Sequence, residues 1–143
     1  MAVLLFEKRF WEPIFSGEKV HTIRRTRKRP IGPGDELSLR GWTGKPYRSK
    51  QFVLCEETCL DVRRIWIDQQ GIVIDGLDRL SEPEELDAFA RSDGFTGWEE
   101  MRLYRDFFYD LPFSGDFIQW GIHPLFRIPS QLSATTTSDG DSD

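Results

Sequence analysis

Between Gly17 and Arg29 the sequence reads GEKVHTIRRTRKR, with six lysines and arginines and one histidine, in a chain whose formal net charge is −5. Arginine offers phosphate oxygens two parallel N–H donors in a planar fork. Arg24, Arg25 and Arg27 are therefore candidates for contact with an anionic ligand, although a solvated hairpin tip would have the same composition. Further along, Trp42 and Tyr47 interleave with Lys45, Arg48 and Lys50. Rings that stack on unpaired bases, beside cations that hold phosphates, are the means by which single-stranded RNA is recognised. Tyr47, with Lys45 and Arg48 on either side, is the contact candidate of this loop; Trp42 suits core packing better.

The charge is divided unevenly. Residues 1–50 carry 12 Lys and Arg against 5 Asp and Glu, and residues 51–143 carry 7 against 19. A locally basic face on an acidic protein suits a small anionic ligand or a short single strand better than a long duplex, which would feel the whole field. The apolar start, AVLLF, is too short for a signal-peptide core or a membrane span, so a cytoplasmic protein with no membrane partner is expected. Cys55 and Cys59, four apart, would be separated by roughly 13 Å in a strand, beyond the ~7 Å limit for a disulfide, so reduced thiols are expected. Too few ligands accompany them for a zinc site, and no metal or cofactor is expected.

These residues need elements to position them. AVLLF reads as a buried strand, followed by a helix in which Phe10, Ile14 and Phe15 share a face, Pro13 limits the length, and Gly17 supplies a left-handed end. VHTIRR and ELSLRGW read as two strands of a hairpin joined by RPIGPGD, and FVLCEE, CLDVRRIWID and GIVIDG as further strands. Ser81 with Glu84, and Thr96 with Glu99, match capping boxes that open two helices. Leu86, Phe89 and Ala90 give the first an apolar face, and Met101, Tyr104, Phe108 and Leu111 recur at helical spacing in the second. FSGDFIQWGI returns to strand. Trp66, Trp98 and Trp120 lie in apolar patterns that predict core positions. Residues 130–143, SQLSATTTSDGDSD, cannot bury enough apolar surface to fold and predict an acidic, disordered tail behind one domain, 1–129.

Gly17, Lys19, Thr22 and Arg24 form the pattern G-x-K-x-x-T-x-R after a short helix, and GDELSL, ARSDGFTGWEEMRLY and DFIQWGI follow in order. In these four pieces, over residues 3–128, the chain resembles the ASCH domain family, relatives of the PUA domains. The resemblance implies an α+β fold, a PUA-like partly closed β-barrel flanked by short helices, and a cleft that binds RNA or a modified nucleoside or nucleotide. Some small members hydrolyse the amide of N(4)-acetylcytidine, and by that resemblance Lys19, Thr22 and Asp93 are the catalytic candidates; a ribonuclease is a further possibility. Asp93 stands where the hydrolases have a glutamate, one methylene longer.

The residue types suffice for such a reaction. Cleaving an amide takes a nucleophile, a group to receive its proton, and donors where an oxyanion develops. Lys19 could act as base if burial lowers its pKa, Thr22 could supply the hydroxyl or position a water, and Asp93 could pass a proton to the leaving amine. Each also has a plain structural reading: Lys19 as the complement of a helix dipole, Thr22 as strand propensity, Asp93 as a turn former. His21 could titrate in a binding site or simply pack in the strand. A protein-interaction domain docking through its acidic tail is the remaining alternative.

Overall fold

A computed structural model of the chain describes residues 1–122. The expected tail and the domain end at 129 lie outside the described residues. In chain order the elements are β1 (Ala2–Leu5), a 3-10 turn (Lys8–Phe10), α1 (Trp11–Ser16), β2 (His21–Arg24), β3 (Glu36–Trp42), β4 (Gln51–Thr58), β5 (Asp61–Asp68), β6 (Gly71–Ile74), α2 (Pro83–Ser92), α3 (Trp98–Tyr109) and β7 (Phe113–Gln119). The described residues form a mixed α+β fold, with seven strands in two sheets and three α-helices. No helix among the described residues is long and apolar enough to cross a membrane.

One sheet has the order β1-β3-β4, with β1 parallel to β3, and the other has the order β2-β7-β5-β6, antiparallel throughout. Among the described residues the sheets have no strand in common and do not close into a hydrogen-bonded barrel. The chain passes from the first to the second for the last time at Cys59 and Leu60, where the Leu60 N–H donates to Gln119 O at 2.8 Å. Both cysteines are free thiols.

The expected β2–β3 hairpin does not form. β2 pairs with β7, His21 opposite Gln119 and Arg24 opposite Asp116, while β3 lies between β1 and β4 in the other sheet. The Pro- and Gly-rich stretch between them is a crossover. Local turn chemistry cannot distinguish the two, because a strand buried as fully as β2 takes its neighbour from the core and not from the nearest turn.

Apolar patterning otherwise places the core well. Leu4, Leu37 and Leu39 from the first sheet, Ile23, Ile65 and Phe117 from the second, and Leu86, Phe89 and Ala90 of α2 are all buried. Gly17 ends α1 with φ +82° as its position required. Trp120 is buried and Trp98 half-buried, but Trp66 is 43% exposed. It alternates with Ile65 and Ile67 on β5, so its ring falls on the outer face. Phe15 and Phe108 also point outward, at 56% and 53% exposure.

Neither capping box is built. The residue capping α2 is Glu82, and Pro83 occupies the first turn, where its missing N–H costs nothing. α3 is capped at Gly97 and not at Thr96, with no side-chain cap bond from Gly97, and the Trp98 N–H donates to Asp87 Oδ1 of α2 at 2.8 Å. The reciprocal bond comes from Glu100, whose Oε1 accepts the Thr96 N–H at 2.9 Å. The cap of α3 is thus tertiary, and it fixes the two helices against each other.

The close packing of β7 under β2 requires a glycine. A Cβ at Gly115 would lie 2.4 Å from the backbone O of Arg24 and 2.6 Å from the Phe113 ring, whereas one at Gly32 would meet nothing within 4 Å. Gly115→Ala should therefore lower unfolding stability by about 1–3 kcal/mol. Gly32→Ala should leave the urea midpoint essentially unchanged.

Candidate functional site

Three backbone features bring the site together. The Lys19 N–H donates to Pro13 O at 2.9 Å, which anchors the residue to the end of α1 just before β2 begins. Asp93 is the C-cap residue of α2, its own N–H directed to Phe89 O and Ala90 O, each at 3.1 Å. Gly94 follows at φ +101°, a conformation that favours glycine, and a Cβ there would lie 2.7 Å from Phe10 Cδ1. The turn after Asp93 thus holds its carboxylate against Lys19 while leaving room for Phe10.

Lys19 and Asp93 meet directly, although 74 positions apart in the chain. Lys19 Nζ donates to Asp93 Oδ1 at 2.8 Å and to the Asp93 backbone O at 2.7 Å. The lysine therefore complements a helix dipole as one reading of the sequence has it, but the helix is α2 and not α1. Arg105 of α3 donates from Nη2 to Asp93 Oδ2 at 2.9 Å, and His21 Nε2 lies 3.4 Å from Oδ1. All four residues are buried.

Thr22 and Arg24, two apart on β2, share a face; Arg24 Nε donates to Thr22 Oγ1 at 3.2 Å and Arg24 Nη2 to Leu5 O at 2.7 Å. Lys19, Thr22, Arg24, Asp93 and Arg105 line one cavity of about 140 Å³, walled by Phe6, Phe10, Tyr104 and Tyr109. At its edge Glu7 Oε2 accepts the Tyr104 hydroxyl at 2.7 Å. Burial and this carboxylate raise the pKa of the tyrosine, so it remains a neutral donor.

The electrostatics follow from burial. Loss of hydration lowers the pKa of Lys19 to about 8, against the attraction of Asp93 and with further repulsion from Arg105 and Arg24. Burial alone would raise the pKa of Asp93, but Lys19 and Arg105 outweigh it and the carboxyl sits below its usual range. Arg24 falls to about 10, again through burial first, and stays charged at neutral pH. A lysine with pKa about 8 is uncharged in roughly a tenth of molecules at pH 7. The cavity thus offers a base, a hydroxyl and guanidinium donors within one low-dielectric space.

The remaining basic candidates do not join this cavity. The guanidinium of Arg25 stacks over the Tyr109 ring, 4.9 Å from its centroid, and Arg27 Nη2 donates to Val3 O, both on exposed side chains. Lys45, Tyr47 and Arg48 sit in the β3–β4 hairpin loop and line none of it. Tyr47 is 85% exposed at φ +62°, with its ring 5.2 Å from that of Trp42. Among the described residues, this loop does not edge the cavity that Lys19 and Asp93 line. His21 packs against Phe89 and Phe117, at 5.6 and 4.7 Å between ring centroids, on the core side of the strand.

Sequence reasoning missed Arg105. A signal was present, because Arg105 is four residues after Met101 on the apolar face of α3, and a charge on a buried stripe needs a buried partner. Comparison of the chain with protein-family models, curated proteins and solved structures gives no match.

The Asp93 carboxylate and the Lys19 amine make pH-dependent contributions of opposite sign. Asp93, with its pKa depressed in the fold, stabilises the protein above the unfolded value of 3.8, and that contribution is lost as pH falls through the folded value. Lys19, with its pKa lowered from 10.5 to about 8, costs stability below pH 8, and the cost is relieved as pH rises toward 10.5. NMR titration of the Lys19 side chain should give a midpoint near 8. Asp93→Asn, which removes the attraction but not the burial, should move that midpoint lower; an unchanged midpoint would mean the pair is not coupled as described.

Proposed function

We propose that this chain is an ASCH-like domain, with two sheets corresponding to a PUA-like partly closed barrel, that binds a modified nucleoside or nucleotide, free or at an unpaired position in RNA. The observation that supports the reading is the convergence on one cavity of Lys19, Thr22, Arg24 and Asp93, which come from the segments that carry the resemblance. At about 140 Å³ the cavity is smaller than the roughly 300–1,000 Å³ that encloses a whole drug-sized ligand. It suits one ring or one substituent, with the rest of the ligand outside. Phe6, Phe10 and Tyr104 supply apolar walls for such a group, and the exposed arginines Arg25 and Arg27 supply positive charge for a strand that continues beyond it.

A second reading, deacylation of an N(4)-acylated cytidine, is favoured by the lowered pKa of Lys19. The uncharged amine takes the proton of Thr22 or of a water positioned by it, the oxygen attacks the acyl carbon, and Arg24 and Arg105 are placed to stabilise the oxyanion. Asp93, ionised and shared by Lys19 and Arg105, orients the amine more naturally than it donates a proton. The proton that Lys19 receives passes to the cytosine amine as the C–N bond breaks; where Thr22 is the nucleophile, a water then cleaves the acyl-threonine ester and releases the carboxylic acid. A ribonuclease is chemically less natural here, since His21 faces Phe89 and Phe117 and not the cavity.

Calorimetric titration with cytidine, N(4)-acetylcytidine and a short single-stranded RNA tests the binding reading. Lys19→Met and Thr22→Val should each weaken binding by about tenfold or more, and full affinity in both variants would exclude the cavity as the site. If the protein deacylates, absorbance-monitored turnover of N(4)-acetylcytidine should rise with pH toward a plateau above about 8. Lys19→Met should abolish it, and turnover that survives would remove the lysine from its role.

A further inference from the structure

The cavity contains more positive charge than its own carboxylates neutralise, and the surplus lies on guanidinium groups. Asp93 is shared by Lys19 and Arg105. Arg24 is left with neutral acceptors, Thr22 Oγ1 and Leu5 O, and with the Phe6 ring 4.7 Å from its Cζ. Its other N–H groups have no partner among the described residues. Glu7, the second carboxylate of the lining, is solvent-exposed and accepts the Tyr104 hydroxyl.

Arg105 carries an independent indication. It is 5% exposed, and its Nε–H has no hydrogen-bond partner among the described residues while its Nη2 holds Asp93. Its guanidinium carbon lies 5.5 Å from the Tyr104 ring centroid and 5.9 Å from those of Phe95 and Tyr109. A buried donor in such apolar surroundings is costly unless something completes it. Arg24 and Arg105 line the same cavity and are close enough to repel, which contributes to the lowered pKa of Arg24.

We infer that Arg24 and Arg105 form an oxyanion site within the Lys19–Asp93 cavity, so that the ligand presents a phosphate or carboxylate group there and is not a neutral nucleoside. The inference rests on the reading of this cavity as a ligand site and narrows its substrate class to acidic nucleosides or nucleotides. A doubly accepting oxyanion would satisfy the Arg105 Nε–H, give Arg24 a counter-ion, and relieve the repulsion between them. Two chemical sources fit the same donors: a nucleotide phosphate, or a carboxylate on an acyl or base substituent.

Calorimetry of the full chain at low salt with inorganic phosphate, acetate, cytidine and cytidine 5′-monophosphate distinguishes them. Expected are saturable binding of phosphate or acetate and, where phosphate is the anion taken, a monophosphate bound at least about tenfold more tightly than cytidine. Preference for acetate would identify the carboxylate source. Arg24→Gln and Arg105→Lys should each reduce affinity for the preferred anion by about tenfold or more. Arg24→Gln leaves the Asp93 pairs intact and so serves if the other variant does not fold. Failure of both anions to bind, with cytidine and its monophosphate held equally, overturns the oxyanion site and leaves the nucleoside reading standing. Anion binding that Arg24→Gln removes, without binding of any nucleoside, nucleotide or RNA, supports the oxyanion site and refutes that reading.

Discussion

One buried carboxylate organises the fold around the cavity. Asp93 is fully enclosed and receives Lys19 on one oxygen and Arg105 on the other, at 2.8 and 2.9 Å. These three side chains come from the entry to β2, the end of α2 and the middle of α3, so the ion triad fixes the relative positions of the segments that wall the cavity. Desolvating three charges is expensive, and removing one partner from such a group typically costs about 3–5 kcal/mol because the rest are stranded. The triad therefore acts less as a source of stability than as a constraint on geometry. With the carboxylate misplaced, neither the lysine nor the arginine would have a fixed direction.

That constraint also explains the division of labour among the basic residues. Of the many cations in the first half of the chain, the cavity selects Lys19 and Arg24, and it takes a third, Arg105, from the acidic second half. Arg25 and Arg27 bend back over Tyr109 and Val3 outside it. Charge density along the sequence therefore located the neighbourhood of the site but not its members. Burial separates the two groups: it lowers the pKa of Lys19 and of Arg24.

The local signals in the sequence were read most reliably where they concern one element at a time. The strands of the first half, the glycine that ends α1, and the apolar face of α2 around Phe89 all follow from periodicity and turn chemistry, whereas of the face expected for α1 Phe15 is exposed. Readings that required a partner failed or shifted. β2 found β7 and not β3, the N–H groups at the start of α3 found Asp87 and Glu100, and Trp66 was turned outward by the alternation of β5.

The sequence alone determined which residue types are available at the site, through Lys19, Thr22 and Arg24 at fixed spacing on one short segment, while Asp93, beside a glycine, was singled out only by the family resemblance. A strand repeats every two residues, so the shared face of Thr22 and Arg24 is a local property. Only the tertiary structure decided that Asp93 reaches Lys19 across 74 positions, that Arg105 completes the triad, and that Tyr47 and its loop do not line the cavity. Those outcomes depend on how α2 and α3 dock on the sheet, and that docking is set by the summed burial of many apolar contacts, which no short motif contains.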